Sequence, residues 1–213
     1  MNTFWDKYYS KPLDEIPWQN TQADWFKKLV DNKTIKGNTA LDLGCGTGKK
    51  SIYLAQHARF KKIIGVDISK QAIEYATSNA QTARVENICS FIHHDLEDWS
   101  FLKNNESFDF ILDWAAIHCM SANKLTEYAK NISSHCKSGS MFLVRSFASH
   151  DPKEDYFEVQ IDDIKSTVFL LTENKIKKLF YQFDVLMCNT SNLKNKPNNK
   201  PNYYFLEFLM KKK

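Results

Sequence analysis

Asp42 is followed by a glycine at every second position, Gly44, Gly46 and Gly48, and three further acids, Asp67, Asp95 and Asp113, stand at or just past the ends of short apolar runs. Glycines so spaced let a bulky ligand lie against bare backbone, and they permit torsions that a Cβ opposes. Carboxylates beside such a turn suit a ligand that brings hydroxyl groups or positive charge. Asp67 comes 19 residues after Gly48, about the interval at which an acid at the next strand tip takes the two ribose hydroxyls of an adenosine. Asp67-Ile68-Ser69 could instead simply cap a helix starting near Lys70, but beside the glycine turn ribose binding is the stronger reading. His118 is placed to act as a base or to touch a substrate; a structural histidine bonded to the backbone is the equal alternative.

Other ligand classes fit less well. A phosphate-cradling loop needs Gly-Lys followed by Ser or Thr, whereas Gly48-Lys49 is followed by Lys50 and no glycine lies five places before Gly48. A dinucleotide turn wants its third glycine three residues after the second; position 49 is Lys, and the third glycine is Gly48. His93-His94 lacks a spaced partner, and Cys45, Cys89, Cys119, Cys136 and Cys188 include no C-x-x-C pair, so no metal site is expected.

The elements that must position these groups alternate. Thr39 to Leu43 reads as a buried strand running into the glycine turn, and Lys49 to His57 as the helix beyond it. Lys62 to Ile68 is a second strand, apolar almost throughout as a strand covered on both faces should be. Lys70 to Thr82 follows as a helix with Ala72, Ile73, Ala76 and Ala80 on one side. Ile88–His93 and Ser107–Trp114 are strands three and four, Asn123 to His135 is a helix, Ser138-Gly139-Ser140 a turn, and Met141–Phe147 strand five. Thr172 caps a last helix; Phe183 to Cys188 and Tyr203 to Met210, joined by the loop 190–202 without a helix, should pair antiparallel. Asp42, Asp67 and Asp113 then fall along one edge of a parallel sheet, where open α/β sheets bind ligands.

Two segments stand outside the alternation. Residues 148–171, with Glu154, Asp155, Glu158, Asp162 and Asp163, are expected to lie over the ligand edge and shape a substrate mouth, their acids forming a solvated face. Residues 1–38 hold Phe4, Trp5, Tyr8, Tyr9, Trp18, Trp25 and Phe26, too many rings for a floppy leader. Gln22 to Asp31 reads as a short amphipathic helix whose Trp25 and Phe26 pack on the domain. Trp5, Tyr9 and Trp18 sit in loop-like sequence near Pro12 and Pro17 and suit a cofactor lid as well as packing.

Composition bounds the rest. The chain has 213 residues, 43% apolar and 25% charged, which fits one soluble domain over 1–213. A net charge of +4, with Lys211-Lys212-Lys213 at the end, is no nucleic-acid footprint. Scattered cysteines, no apolar stretch of spanning length and no basic-then-apolar N-terminus lead us to expect a cytoplasmic protein off the membrane, a monomer or homodimer.

The motif Asp42-x-Gly44-x-Gly46-x-Gly48, with Asp67, Asp95 and Asp113, resembles that of the class I S-adenosylmethionine (SAM) methyltransferases, and the element order supports this from Thr39 to about Met210. The resemblance implies an α/β Rossmann-like fold, a doubly wound, mostly parallel seven-stranded sheet closed by an antiparallel C-terminal hairpin. It implies SAM as cofactor and S-adenosylhomocysteine as product. SAM carries no phosphate but has an ammonium, a carboxylate and a sulfonium, so an acid at the turn meets a cation and the helix start offers N–H groups to the carboxylate. Cofactor binding falls to Asp42, Gly44, Cys45, Gly46 and Gly48 at the turn, Asp67 and Ile68 at the ribose, Asp95 and Leu96 beside the adenine, and Asp113 and Trp114 at the fourth strand tip. His118 and Asp113 are the catalytic candidates. Phe4 to Tyr9 and Ile16-Pro17-Trp18 are similar to the thiopurine, thiol, halide and tellurite-resistance group, in which this segment folds over SAM; that implies lid roles for Trp5, Tyr9 and Trp18. The group often has Arg-Gly after the fourth-strand acid and a pair of histidines beyond it, where this chain has Trp114-Ala115 and His118. The expected reaction is methyl transfer to a small acceptor, a soft nucleophile such as a thiol. A nucleic-acid partner is not expected, since Asp113-Trp114-Ala115-Ala116 does not match the Asn-Pro-Pro-Tyr type signature. Protein or nucleic-acid methylation and a non-catalytic SAM-binding module are the alternatives.

Overall fold

A computed structural model describes residues 4–16, 18, 24–103, 106–192 and 203–213. Pro17, the expected start of the second helix at Gln22 and most of the expected 190–202 loop lie outside the described residues. Strands β1 (Thr39–Leu43), β2 (Lys62–Asp67), β3 (Cys89–His93), β4 (Phe108–Trp114), β5 (Cys136–Ser149), β8 (Phe183–Asn192) and β9 (Tyr203–Lys212) form one sheet in the order β3-β2-β1-β4-β5-β9-β8. The first five are parallel; β9 pairs antiparallel with both β5 and β8. This is the expected Rossmann-like arrangement, with β1 and β4 at its centre and nearly every residue of both buried.

Helices cover both faces. On one lie α2 (Asp24–Asp31), α3 (Lys49–His57) and α4 (Lys70–Thr82), packed through Phe26, Leu54 and Ala80 onto Ala40, Leu112 and Leu143. On the other, α5 (Leu125–Ser134) and α6 (Glu173–Leu179) pack Tyr128, Ile132 and Ile176 onto Leu41, Ile111 and Phe142. Ala72, Ala76 and Ala80 keep α4 slim where it packs, and the Ser69 hydroxyl caps it by accepting from the Ala72 N–H at 3.2 Å. Thr172 caps α6 in the same way through the Lys175 N–H. Among the described residues no helix is long and apolar enough to cross a membrane.

Several elements differ from the sequence reading. Phe4–Tyr9 is a helix, α1, not loop. No helix separates β3 from β4 among the described residues: the Asp95 and Asp98 carboxylates accept from the Glu97 and Ser100 N–H groups, each at 2.9 Å, and such local side-chain turns compete with helix. Ser138-Gly139-Ser140 is no turn but part of β5. There the step from Phe108 to Phe110 on β4 spans Cys136 to Met141 on β5, a bulge with Gly139 at φ 88° and the Ser140 hydroxyl bonded to the Phe108 carbonyl. Residues 148–171 contain a hairpin, β6 (Tyr156–Ile161) and β7 (Ile164–Phe169), which packs Phe157 and Val168 against Tyr203 and Phe147.

Candidate active site at the carboxyl edge of the sheet

The glycine turn is held on the end of β2, with the Gly44 and Cys45 N–H groups both donating to the Val66 carbonyl at 2.8 and 3.0 Å. Gly44, Gly46 and Gly48 all have positive φ, at 67°, 54° and 75°. Protein atoms crowd all three: an added Cβ would stand 2.6 Å from Ala116 Cβ at Gly44, 2.6 Å from Tyr9 Oη at Gly46 and 2.9 Å from Phe91 at Gly48. Bare backbone here admits neighbouring side chains as well as any ligand.

The pleat divides the three strand-tip acids. Asp42 pairs with Gly65 and Leu112, and Leu43 with Val66 and Asp113, so Asp42 and Asp67 face α3 and α4 while Asp113 faces α5. Asp42 accepts from the Ser51 hydroxyl at 2.6 Å. Asp67 accepts from the Gly46 N–H at 2.8 Å and the Ser69 N–H at 2.9 Å, so it ties turn to helix through its own backbone contacts. Burial pushes the Asp42 and Asp67 carboxyls up to about 6, against the pull of Ser51 on the first and of the Ser69 and Gly46 amides on the second.

Asp113 stands at the tip of β4, as expected, with its side chain turned to the α5 face. Its carboxylate accepts from the Ala116 and Ile117 N–H groups and from the Tyr128 hydroxyl, at 2.8, 3.1 and 2.8 Å, and it is wholly buried. Burial lifts it to about 7 despite those donors. It fixes the loop after β4, where Ala115 takes a φ of 80°, a strained conformation for a residue with a Cβ. The single turn of 3-10 helix Ile117–Cys119 that follows carries His118. His118 is buried, and its Nδ1 accepts from the Phe147 N–H at 3.3 Å. Burial, with Arg145 nearby, drops it to about 3, so the ring is neutral, holds its proton on Nε2 and offers a donor there.

Helix α1 closes over the turn. Tyr9 covers Gly46 and accepts from Trp18 Nε1 at 3.0 Å, and Trp5 meets Trp18 edge-on at 5.5 Å. Asp6 accepts from the Ser69 hydroxyl at 2.6 Å, and Lys7 pairs with Asp163 at 2.9 Å, joining α1 to the tip of the β6–β7 hairpin. Thus Trp5, Tyr9 and Trp18 come together above Gly46. Asp95 lies exposed beyond β3, Leu96 is buried in the core beside it, and the Ile68 carbonyl meets His93 Nε2 at 3.0 Å. Cys45 is partly buried, and burial raises its thiol well above the ordinary range. Two shallow surface depressions flank α5, and no residue of the glycine turn lines either.

Lys50, Arg145 and Glu207, at this edge, escaped the sequence reading, whereas Trp114 was expected here. Trp114 turns to the α2 and α3 side, where Lys50 Nζ and the Arg145 guanidinium lie over its ring at 5.6 and 4.8 Å. Arg145 pairs with Glu207 across β5 and β9. A lone base in Met141–Phe147 and a lone acid in Tyr203–Met210, both otherwise largely apolar, were the available signal.

The carboxylates Asp42 and Asp67, the glycine turn between them and the aromatic cover suit a cationic adenosyl compound. A family model described as a methyltransferase domain matches residues 35–184. The chain is 27% identical over 129 residues to thiocyanate methyltransferase 1 of Brassica oleracea, covering 60% of this chain and 54% of that protein. It is 26% identical over 185 residues to the release factor glutamine methyltransferase of Buchnera aphidicola, covering 82% and 62%. It therefore spans only a little over half of these curated relatives. The crystal structure of a SAM-dependent methyltransferase from Methanosarcina mazei has the same fold, with TM-score 0.71 at 19% identity and coverage of 86% of this chain and 96% of that one. With the family match running from just before β1 into β8 on this sheet order, the chain belongs to the methyltransferase-domain family.

Proposed function

We propose that this chain is a SAM-dependent methyltransferase acting as one domain on a small acceptor, a soft nucleophile such as a thiol. The observation that carries the reading is the glycine turn of positive φ, tied to Asp67 and roofed by Tyr9. Asp67 and Ile68 would hold the ribose, Asp95 and Leu96 the adenine, and the turn with Asp42 and Cys45 the amino-acid end. Bound SAM supplies a methyl group activated by its sulfonium. With SAM held there, its methyl group would pass to the acceptor sulfur, and the departing thioether would keep the electron pair of the old bond. Alignment alone is worth on the order of 7 kcal/mol or more, and Trp5, Tyr9 and Trp18 exclude water. Tyr9 lies on Gly46, so ligand entry requires α1 to lift. His118 offers a hydrogen bond from Nε2 rather than a base, which suits an acceptor that arrives already ionised. Asp113 positions the His118 turn and does not touch the reacting atoms.

What favours a small acceptor over a protein or nucleic acid is the double roof of α1 and the β6–β7 hairpin, joined by Lys7 and Asp163. The likeness to a thiocyanate methyltransferase agrees with it, whereas the release factor relative acts on a protein. Five free cysteines fit a reducing cytoplasm. Methyl-labelled SAM should be offered with thiol, halide and oxyanion acceptors. Labelled thioether is the expected product, with His118→Gln retaining at least a tenth of the turnover and no histidine step in its pH profile. SAM binding without turnover of any acceptor would leave a non-catalytic binding module instead.

A further inference from the structure

Arg145 is a buried cation at the carboxyl edge that no part of the proposed methyl transfer uses. It is 5% exposed, and its guanidinium lies between two rings, 3.5 Å from the Phe205 centroid and 4.8 Å from that of Trp114. Its Nε stands 3.2 Å from Glu207 Oε1 yet is fully buried with no acceptor in hydrogen-bond geometry. Glu207 in turn already accepts from Asn189 Nδ2 at 2.6 Å and the Ser191 hydroxyl at 3.0 Å. A purely structural Arg–Glu clasp between β5 and β9 would align its fork with the carboxylate; here the ion pair runs through Nε without hydrogen-bond alignment, while the acid accepts from Asn189 and Ser191. A second cation, Lys50, lies over the same Trp114 ring. Burial lowers its amine to about 8, with Asp42 opposing and the Arg145 charge adding to the fall. Buried Arg145 and part-buried Lys50, beside one ring, favour a further anion next to them in addition to Glu207 and Asp42.

We infer that Arg145 and Lys50, over the Trp114 ring, receive the negatively charged group of a ligand at this sheet edge, a carboxylate or a monoanion of similar size. Arg145 pairs in register with Trp114 at the tip of β4, and Phe147, two residues on, packs against His118 at 4.7 Å. The receptor thus lies between the glycine turn and the His118 turn. A small anionic acceptor and the amino-acid carboxylate of the cofactor share the required chemistry. The inference rests on the methyl-transfer reading for who brings the anion, and not for the receptor itself.

The test is calorimetry on the full chain, wild type against Arg145→Met/Glu207→Gln, which removes both partners so that neither charge is left alone, and against Arg145→Lys. S-Adenosylhomocysteine and 5′-methylthioadenosine, which lacks the amino-acid end, are titrated first; mercaptoacetate and 2-mercaptoethanol are then titrated into the homocysteine complex. With an acceptor anion, mercaptoacetate binds at least tenfold more weakly to the double variant, 2-mercaptoethanol changes less than twofold, and Arg145→Lys falls between. With a cofactor carboxylate, S-adenosylhomocysteine weakens tenfold while 5′-methylthioadenosine holds. If the cooperatively folded double variant matches wild type with all four probes, or wild type ignores mercaptoacetate while S-adenosylhomocysteine is unchanged, the receptor is overturned. Failure of every thiol to turn over would count against the methyl-transfer reading alone, since the titrations need no turnover.

Discussion

Gly46→Ala probes the contact between α1 and the glycine turn. Two costs act at this position and can be separated. Keeping alanine at a φ of 54° costs roughly 1–2 kcal/mol. The new Cβ would also stand 2.6 Å from Tyr9 Oη, though 3.7 Å from Tyr9 Cζ, an ordinary contact. Relief comes from displacing the Tyr9 hydroxyl, which gives up its bond from Trp18 at 3.0 Å, worth about 1 kcal/mol. Gly46→Ala should therefore cost roughly 2–3 kcal/mol in the wild-type background. In Tyr9→Phe the clashing oxygen is gone and only the backbone cost, roughly 1–2 kcal/mol, should remain. Urea unfolding of the four proteins of this cycle, followed by tryptophan fluorescence, gives the coupling, expected near 1 kcal/mol. The single Gly46→Ala variant should also expose α1 to limited proteolysis. Equal costs in the two backgrounds would falsify the placement of Tyr9 on the turn.

Asp113, lifted to about 7 from 3.8, contributes stability that is complete below its unfolded value and lost as pH rises through 7. Asparagine there can accept from the Ala116 and Ile117 N–H groups and donate to Tyr128 without titrating, so Asp113→Asn should gain roughly 2–3 kcal/mol relative to wild type between pH 5 and pH 8. Denaturant titrations at both pH values decide this, and a difference independent of pH contradicts it. Asp67, raised to about 6, should ionise more readily with an adenosyl ligand donating hydroxyls to it. Affinity for S-adenosylhomocysteine should then rise with pH up to about 6 and level off above. Asp67→Asn should weaken it at pH 8 by roughly tenfold or more, the value of a hydrogen bond to a charged group; unchanged affinity removes the ribose role.

The elements with strong local signals were readable in the chain. Helices Lys49–His57 and Lys70–Thr82 have the expected bounds, because periodic apolar positions, a glycine turn and a serine cap all act within a few residues. The buried strands and the closing antiparallel pair follow from apolar runs and the missing helix between them. The β6–β7 hairpin was not legible, since its burial comes from Phe147 and Tyr203, residues of other strands. Nor was the bulge at Gly139, which depends on the Phe108 carbonyl.

The candidate site divides along the same line. Sequence alone determined that glycines and acids gather where strands end, because the motif is local and strand tips follow from the apolar pattern. Only the folded chain decided which way each acid points, since the pleat and the register of β1 on β4 send Asp42 to α3 and Asp113 to Tyr128 on α5. It alone set Tyr9 on Gly46 and brought Lys50, Trp114 and Arg145 together. Those residues are far apart along the chain, and contacts of that kind leave no local pattern: packing across the sheet, not spacing within it, makes them neighbours.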